Sequence, residues 1–192
     1  MYPNEIKDKN ITLRHLEPTL KNATILNQLV HDNALYLSPV FNQMVQAYKT
    51  PQGTLACLKY DEECYLRNQM LPYYIFKDDV LVGEITADWH DKEGITEIIY
   101  WLDKKHTGKG YASDALKLME QALFRMGHKS IRLCIDATNY CSSKVAQKNG
   151  YQLSSCTNYY FKTWQMYCHN YRKICQHKNM IKRYGFWSEL FR

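Results

Sequence analysis

No apolar run in this 192-residue chain approaches the ~18 residues that a membrane-spanning helix needs, so a helical membrane protein is excluded. Internal repeats and low-complexity tracts are also missing. Hydrophobic residues make up 45%, close to the globular average, which rules out disorder as the main state. The opening stretch Met1–Asp8 is polar and mixed in charge and lacks the apolar core of a signal peptide, so a cytoplasmic location is expected. Seven cysteines, an odd number without an export signal, read as free thiols in a reducing compartment. Cys168 and His169 with Cys175 and His177 fit no common zinc spacing, and no metal is expected.

An excess of charge is absent from most of the chain. Residues 1–156 hold as many acidic as basic side chains, and the whole net charge of +6 comes from residues 157–192. A neutral body with a basic end disfavours nucleic acid as a partner. The length suits one domain with a short appendage.

Within that frame the hydrophobic pattern is informative. Ile11–Leu16 alternates as a first strand, and helices are predicted over Thr19–Asp32, Leu35–Tyr48 and Thr54–Asn68. The acidic cluster Asp61-Glu62-Glu63 reads as a solvated helix face, or as a docking spot for a cation. Beyond Pro72 the period changes to that of strands. Tyr73–Lys77 and Val80–Ile85 flank the turn Asp78-Asp79 as a hairpin, and Ile95–Leu102 reads as a strand buried on both faces. A basic loop follows over Lys104–Gly110, and then an amphipathic helix over Tyr111–Met126. The chain continues with a strand at Ile131–Ile135, a short helix at Cys141–Asn149, and a final hairpin from Tyr151 to Tyr171. This order predicts a mixed α/β fold whose sheet is partly antiparallel and partly parallel and is flanked by helices.

Chemistry is expected where the buried strand meets the loop. Between Trp101 and Ala112 lie two glycines, three lysines (Lys104, Lys105, Lys109) and the start of a helix. Such a turn aims backbone N–H groups at one point, glycine allows close approach, and the helix end adds partial positive charge. The ligand implied is a phosphate or diphosphate. Gly108-Lys109 is followed by Gly110 rather than Ser or Thr, so an ATP-type P-loop fails. A dinucleotide fingerprint would need glycine where Ser113 stands; Asp136 would supply its ribose acid, but the hairpins upstream suit that fold poorly.

Lys105-x-x-Gly108-x-Gly110 resembles the pyrophosphate loop of the GNAT N-acetyltransferase superfamily. Glu97-Ile98-Ile99-Tyr100-Trp101-Leu102 with His106–Leu116, and Asn139–Tyr151, are similar to the RimJ/RimL-type branch, in the right order and spacing over Ile95–Leu153. The resemblance implies an enzyme that uses acetyl-CoA as cosubstrate and transfers acetyl directly to a primary amine. The acceptor is a protein N-terminus, a polyamine, an amino sugar or a small metabolite. It further implies that the pantetheine arm lies along Ile99, Tyr100, Trp101 and Leu102. The pyrophosphate would sit over Lys105, His106, Thr107, Gly108, Lys109, Gly110, Tyr111 and Ala112, with Asn139 and Ser142 on the cofactor's far side. Glu97 is then the catalytic base.

The tyrosine that many members use to protonate the departing thiolate is replaced by Ala146, leaving Ser142 for that role, with helix capping as its plainer alternative. Lys105 stands where Arg or Gln is usual and keeps charge without bidentate geometry. Tyr159–Cys168 lacks the branch's usual Gly…Asp ending, so a peptide acceptor is not implied. The domain is expected to span 1–172. Residues 173–192 form a basic, aromatic extension, expected to pack as a helix on the domain or on a partner; a second copy of the chain is one such partner. Two rival readings are a catalytically silent CoA-binding or interaction module and a dinucleotide-binding oxidoreductase.

Overall fold

Alternation along the central hairpin sorts its side chains between two cores. In the computed structural model, which describes residues 3–89, 95–159 and 162–170, strand β3 (Met70–Lys77) sends Leu71, Tyr73 and Ile75 to one face and Tyr74 and Phe76 to the other. It is joined to β4 (Val80–Asp88) by Asp78 and Asp79, both left-handed (φ 48 and 60). Two such residues give the turn whose twist matches a two-residue hairpin, and aspartate tolerates that conformation better than most side chains do.

The remaining strands are β1 (Glu5–Lys7), β2 (Thr12–Arg14), β5 (Thr96–Leu102), β6 (Ser130–Asp136), β7 (Gln152–Tyr159) and β8 (Lys162–Asn170). They form one eight-stranded sheet in the order β1-β2-β3-β4-β5-β6-β8-β7. Every neighbouring pair is antiparallel except β5 and β6, which are parallel. The strand predicted first, here β2, is therefore preceded by another of equal length, β1, on the sheet's edge. Its sequence Glu5-Ile6-Lys7 is too short and too polar to stand out from a loop.

Helices α1 (Leu20–Asp32), α2 (Ala34–Ala47) and α3 (Pro51–Leu66) cover one face, and their core includes Leu26, Leu37, Leu58, Tyr74 and Trp101. Helices α4 (Tyr111–Arg125) and α5 (Tyr140–Lys148) cover the other. Ala115, Leu116, Met119 and Leu123, members of the stripe predicted on α4, are buried there beside Ile98 and Leu133. Helix α3 begins earlier than its apolar spacing suggested. Thr50 caps it by accepting a hydrogen bond from the Gly53 N–H, and Pro51 occupies the first turn, where its missing N–H costs nothing.

Two expectations are corrected. Asp61 is not on a solvated face: it is 2% exposed and accepts a hydrogen bond from the Tyr74 hydroxyl at 3.2 Å, while Glu62 pairs with His15 Nε2. The continuously buried strands are β3 and β4, whereas Glu97, Ile99 and Tyr100 in β5 are only half-buried. The last predicted hairpin strand is β8, which ends at Asn170, and the extension 173–192 lies outside the described residues, as do Cys175 and His177.

Gly83 lets β4 lie close against β5. A Cβ there would sit 2.3 Å from the Trp101 carbonyl oxygen and 2.8 Å from a Leu102 methyl. Because the nearest obstacle is backbone, the strands would have to move apart. Gly83→Ala is expected to lower unfolding free energy by about 1–3 kcal/mol in urea titrations. A change within experimental error would show that β5 is not pinned there.

Candidate active site

Each of β5 and β6 is fixed mainly by its outer neighbour. β4 pairs with β5 from Glu97 to Leu102, and β8 pairs with β6 from Ser130 to Asp136. Between them only Thr96↔Ile131 and Glu97↔Arg132 are in register. Past that point the two strands part, and the inner edge of β5 from Ile98 onward faces a cleft rather than a strand. The cleft, about 510 Å³ and open to solvent, is lined by Glu97–Tyr100 of β5, by Leu133–Asp136 of β6, by Asn139 and Ser142, and by Val40 and Phe41. Phe41 reaches it because α2 bends there (φ −113, ψ 34), two residues after Pro39.

The last paired residues before the split carry opposite charges. Arg132 donates from Nε and an Nη to Glu97 Oε2, at 3.1 and 2.9 Å. The Arg132 side chain is 4% exposed and that of Glu97 16%. A buried pair of this kind is costly to break from one side, because the surviving charge is left in a poor solvent.

At its far end β5 runs into the loop. Asp103 caps a single 3₁₀ turn, Lys104–His106, and its Oδ1 accepts from the Lys105 N–H at 3.3 Å. His106 Nδ1 lies 2.8 Å from Asp103 Oδ2. Asn33, from the junction of α1 and α2, accepts the Lys104 N–H at 2.9 Å and donates to the Leu29 carbonyl. The Thr107 hydroxyl donates to the Lys104 carbonyl. Burial alone would push the Asp103 carboxyl up, but hydrogen bonds from His106, Asn33 and the Lys105 N–H outweigh it and hold the group below the usual carboxylate range.

After this brace the backbone opens. Gly108 and Gly110 have φ of +75 and +89, and a Cβ on either would meet no atom within 4 Å. Gly110 heads α4 without a side-chain cap. The N–H groups of Gly108, Lys109, Gly110, Tyr111 and Ala112 make no hydrogen bond among the described residues. Exposed Lys105 and Lys109 stand beside them. Unanswered donors, an exposed helix end and positive charge together make an anion site.

The residues singled out from sequence therefore fall along one line, from the loop at 105–112 down the free edge of Ile99–Leu102 to Glu97. Trp101 and Leu102 are buried in the two cores and do not line the cleft. Across the cleft, Asn139 caps α5 by accepting the Ser142 N–H at 3.1 Å. Ser142 is thus the capped residue and not the cap, and it lines the cleft. Ala146 is fully buried in the α4-side core.

Tyr100 lines the cleft, and its hydroxyl oxygen is buried and closes no hydrogen bond among the described residues. A buried hydroxyl without a partner costs about 1–3 kcal/mol. Burial pushes this phenol up to about 12, with the Ser142 hydroxyl near enough to pull the other way. Sequence reasoning found Tyr100 for its backbone and missed its side chain. It also missed Arg132, Asn33 and Asp103. Asp103 was legible as a capping residue one step before a turn, but the other two meet the site only through the fold.

Residues 10–152 match the family described as acetyltransferase (GNAT) domain. The chain is similar to the ribosomal-protein-serine acetyltransferase of Escherichia coli (strain K12), 32% identical over 141 residues, or 68% of this chain and 74% of that one. In fold it is similar to RimL, a ribosomal L7/L12 alpha-N-protein acetyltransferase solved with coenzyme A (TM-score 0.77, 21% identity, 86% of this chain and 97% of the other). It also resembles the microcin C7 self-immunity acetyltransferase MccE, solved with acetyl-CoA and AMP (TM-score 0.78, 19% identity, 88% and 97% covered).

The brace has a pH signature. A carboxyl whose folded pKa lies below its unfolded value, about 3.9, stabilises the fold fully above that pH and loses its contribution as pH falls through the folded value. Asp103→Asn is expected to flatten the acid limb of stability below about pH 4 relative to the parent chain. Equal acid limbs in urea titrations across that range would remove Asp103 from the brace.

Proposed function

The chain belongs to the GNAT acetyltransferase family, and from that membership we propose an acetyl-CoA-dependent enzyme that transfers acetyl directly to a primary amine. The observation that carries this reading is the row of unanswered N–H groups from Gly108 to Ala112, opening at the end of a cleft between parting strands. A diphosphate satisfies those donors and gains from Lys105 and Lys109. A pantetheine arm is an extended chain of amides, and the unpaired edge of Ile99–Leu102 offers it strand-like partners. The adenosine end would then lie toward solvent and the thioester in the cleft.

Three tasks remain for the protein: removing a proton from the amine, polarising the carbonyl, and stabilising the departing sulfur. Two carboxylates line the cleft; Asp136 accepts from the Thr138 N–H and hydroxyl, and Glu97 is the one assigned to the first. Both bonds from Arg132 fall on Oε2, so the pair orients the carboxylate while Oε1 takes neither of them. Backbone N–H groups of β5 serve the second. Ser142 contributes to the third, with its N–H tied by Asn139 so that its hydroxyl is held at the cleft wall.

The acceptor follows from comparison more than from geometry. The relative named for a ribosomal-protein serine makes a peptide beginning with serine the first acceptor to test. Polyamines, amino sugars and small amines are the other classes. A second reading, a silent CoA-binding module, draws on Ala146, which leaves the family's usual tyrosine unreplaced at that position.

Thiol release from acetyl-CoA with this acceptor panel separates the two. Amine-dependent release is expected; tight CoA binding without release from any acceptor would favour the silent module. Gly110→Ala should weaken CoA binding by about tenfold or more, roughly 1.4 kcal/mol, because the new Cβ points into the space the anion needs. Unaltered affinity by calorimetry would place the diphosphate elsewhere.

Glu97→Gln keeps an acceptor for Arg132 and should slow turnover chiefly at low pH, where the amine is protonated and a base is most needed. An unchanged pH profile would exclude Glu97 as the base.

A further inference from the structure

We propose that the side chain of Tyr100, on strand β5, is the hydrogen-bond donor to the departing coenzyme A sulfur, working with Ser142 across the cleft. This deepens the acetyltransferase reading and rests on it.

Three observations converge on Tyr100. The residue lines the cleft, and its hydroxyl oxygen is buried and closes no hydrogen bond among the described residues. Ser142 lines the same cleft from the opposite wall, and its hydroxyl lies near enough to act on the phenol. Ala146, where many family members carry a tyrosine, is buried in the core and offers no proton to the cleft. A donor is therefore lacking from α5 and present, unanswered, on the strand facing it. The free edge of β5 that would pair with the pantetheine amides carries Tyr100 within it, so the arm would pass beside this side chain.

In the step, the amine nitrogen's lone pair forms the new bond to the carbonyl carbon. The tetrahedral adduct collapses, and the carbon–sulfur pair leaves on sulfur. Tyr100 donates its O–H to that sulfur as negative charge builds. A phenol held near 12 is a weaker acid than a thiol of about 8.5, so it stays protonated and acts by hydrogen bonding. An ammonium acceptor gives up two protons: the first goes to Glu97 before attack, and the second, lost from the adduct nitrogen, balances the one the sulfur finally takes up, while Tyr100 keeps its own. No oxidant, reductant or metal enters.

Tyr100→Phe removes one oxygen from a side chain that otherwise stays packed, and its thermal unfolding should match the parent. With acetyl-CoA and the best acceptor of the panel, kcat is expected to fall about 100-fold, with the KM for acetyl-CoA within about threefold. Adding Ser142→Ala should cost less than the product of the two single effects, since the hydroxyls act as a unit. A kcat unchanged in Tyr100→Phe, or a loss confined to KM, would overturn the proposal.

A second measurement needs no acceptor: titration of the bound coenzyme A thiol by its ultraviolet thiolate absorbance. The phenol should hold that thiol more acidic in the parent than in Tyr100→Phe, and equal values would refute the role. If no acceptor releases thiol, the acetyltransferase reading fails and this titration still decides Tyr100. If coenzyme A does not bind at all, both fall.

Discussion

The site depends on how little β5 and β6 hold each other. Two residue pairs in register, Thr96↔Ile131 and Glu97↔Arg132, are all that join them, while each is paired along nearly its whole length on the other side. Parallel strands inside a sheet normally satisfy one another's backbone groups. Here that satisfaction stops after Glu97, and the remaining edge of β5 is left for something else to pair with. The Glu97–Arg132 pair sits at the point of divergence, where a cross-strand ion pair between nearly buried partners resists being pulled open. The carboxylate at the point of divergence is the one proposed as the base.

The loop at the other end is rigid where it must support and open where it must bind. Asn33, Asp103, His106 and Thr107 use their polar atoms to fix the turn around Lys104. Immediately afterwards the donors from Gly108 to Ala112 are left unanswered. Preorganised donors lose little entropy when an anion arrives, and this is why a braced turn binds better than a flexible one of the same composition. The brace draws on a residue seventy positions earlier in the chain, so the helical face formed by α1 and α2 is tied to the binding loop through Asn33.

Much of this was legible in the sequence. The hairpin of β3 and β4 showed itself by alternation and by two adjacent turn residues, and α4 by its apolar stripe. The loop was legible because glycine, lysine and a helix start coincide over a few residues. Other features were hidden, for physical reasons. Asp61 looks like part of a solvated acidic run until β3 brings the Tyr74 hydroxyl to it, and β1 is too short to carry a period. Arg132 reads as an ordinary exposed position in an alternating strand, and only the parallel register places it against Glu97. The Tyr100 side chain escaped notice because an aromatic in an apolar strand is core by default, and what distinguishes it is its place on the cleft wall.

These departures from expectation lie together. Half-buried positions in a strand whose composition asks for full burial, left-handed glycines with empty space around them, open N–H groups at a helix start and an unanswered phenol all border one cleft or its mouth. Each is a small cost to folding, and scattered through the fold they would be unrelated blemishes. Aligned from the loop to the end of β5, they have a common remedy: an extended, amide-bearing ligand with an anionic head and a reactive end. In the proposed reading the head would answer the loop, the amides the strand edge, and the reactive end would lie among Tyr100, Ser142 and Glu97. The same fold pairs the buried Asp103 and Arg132 side chains at the two ends of this line, so its polar groups are braced on either side of the positions left open.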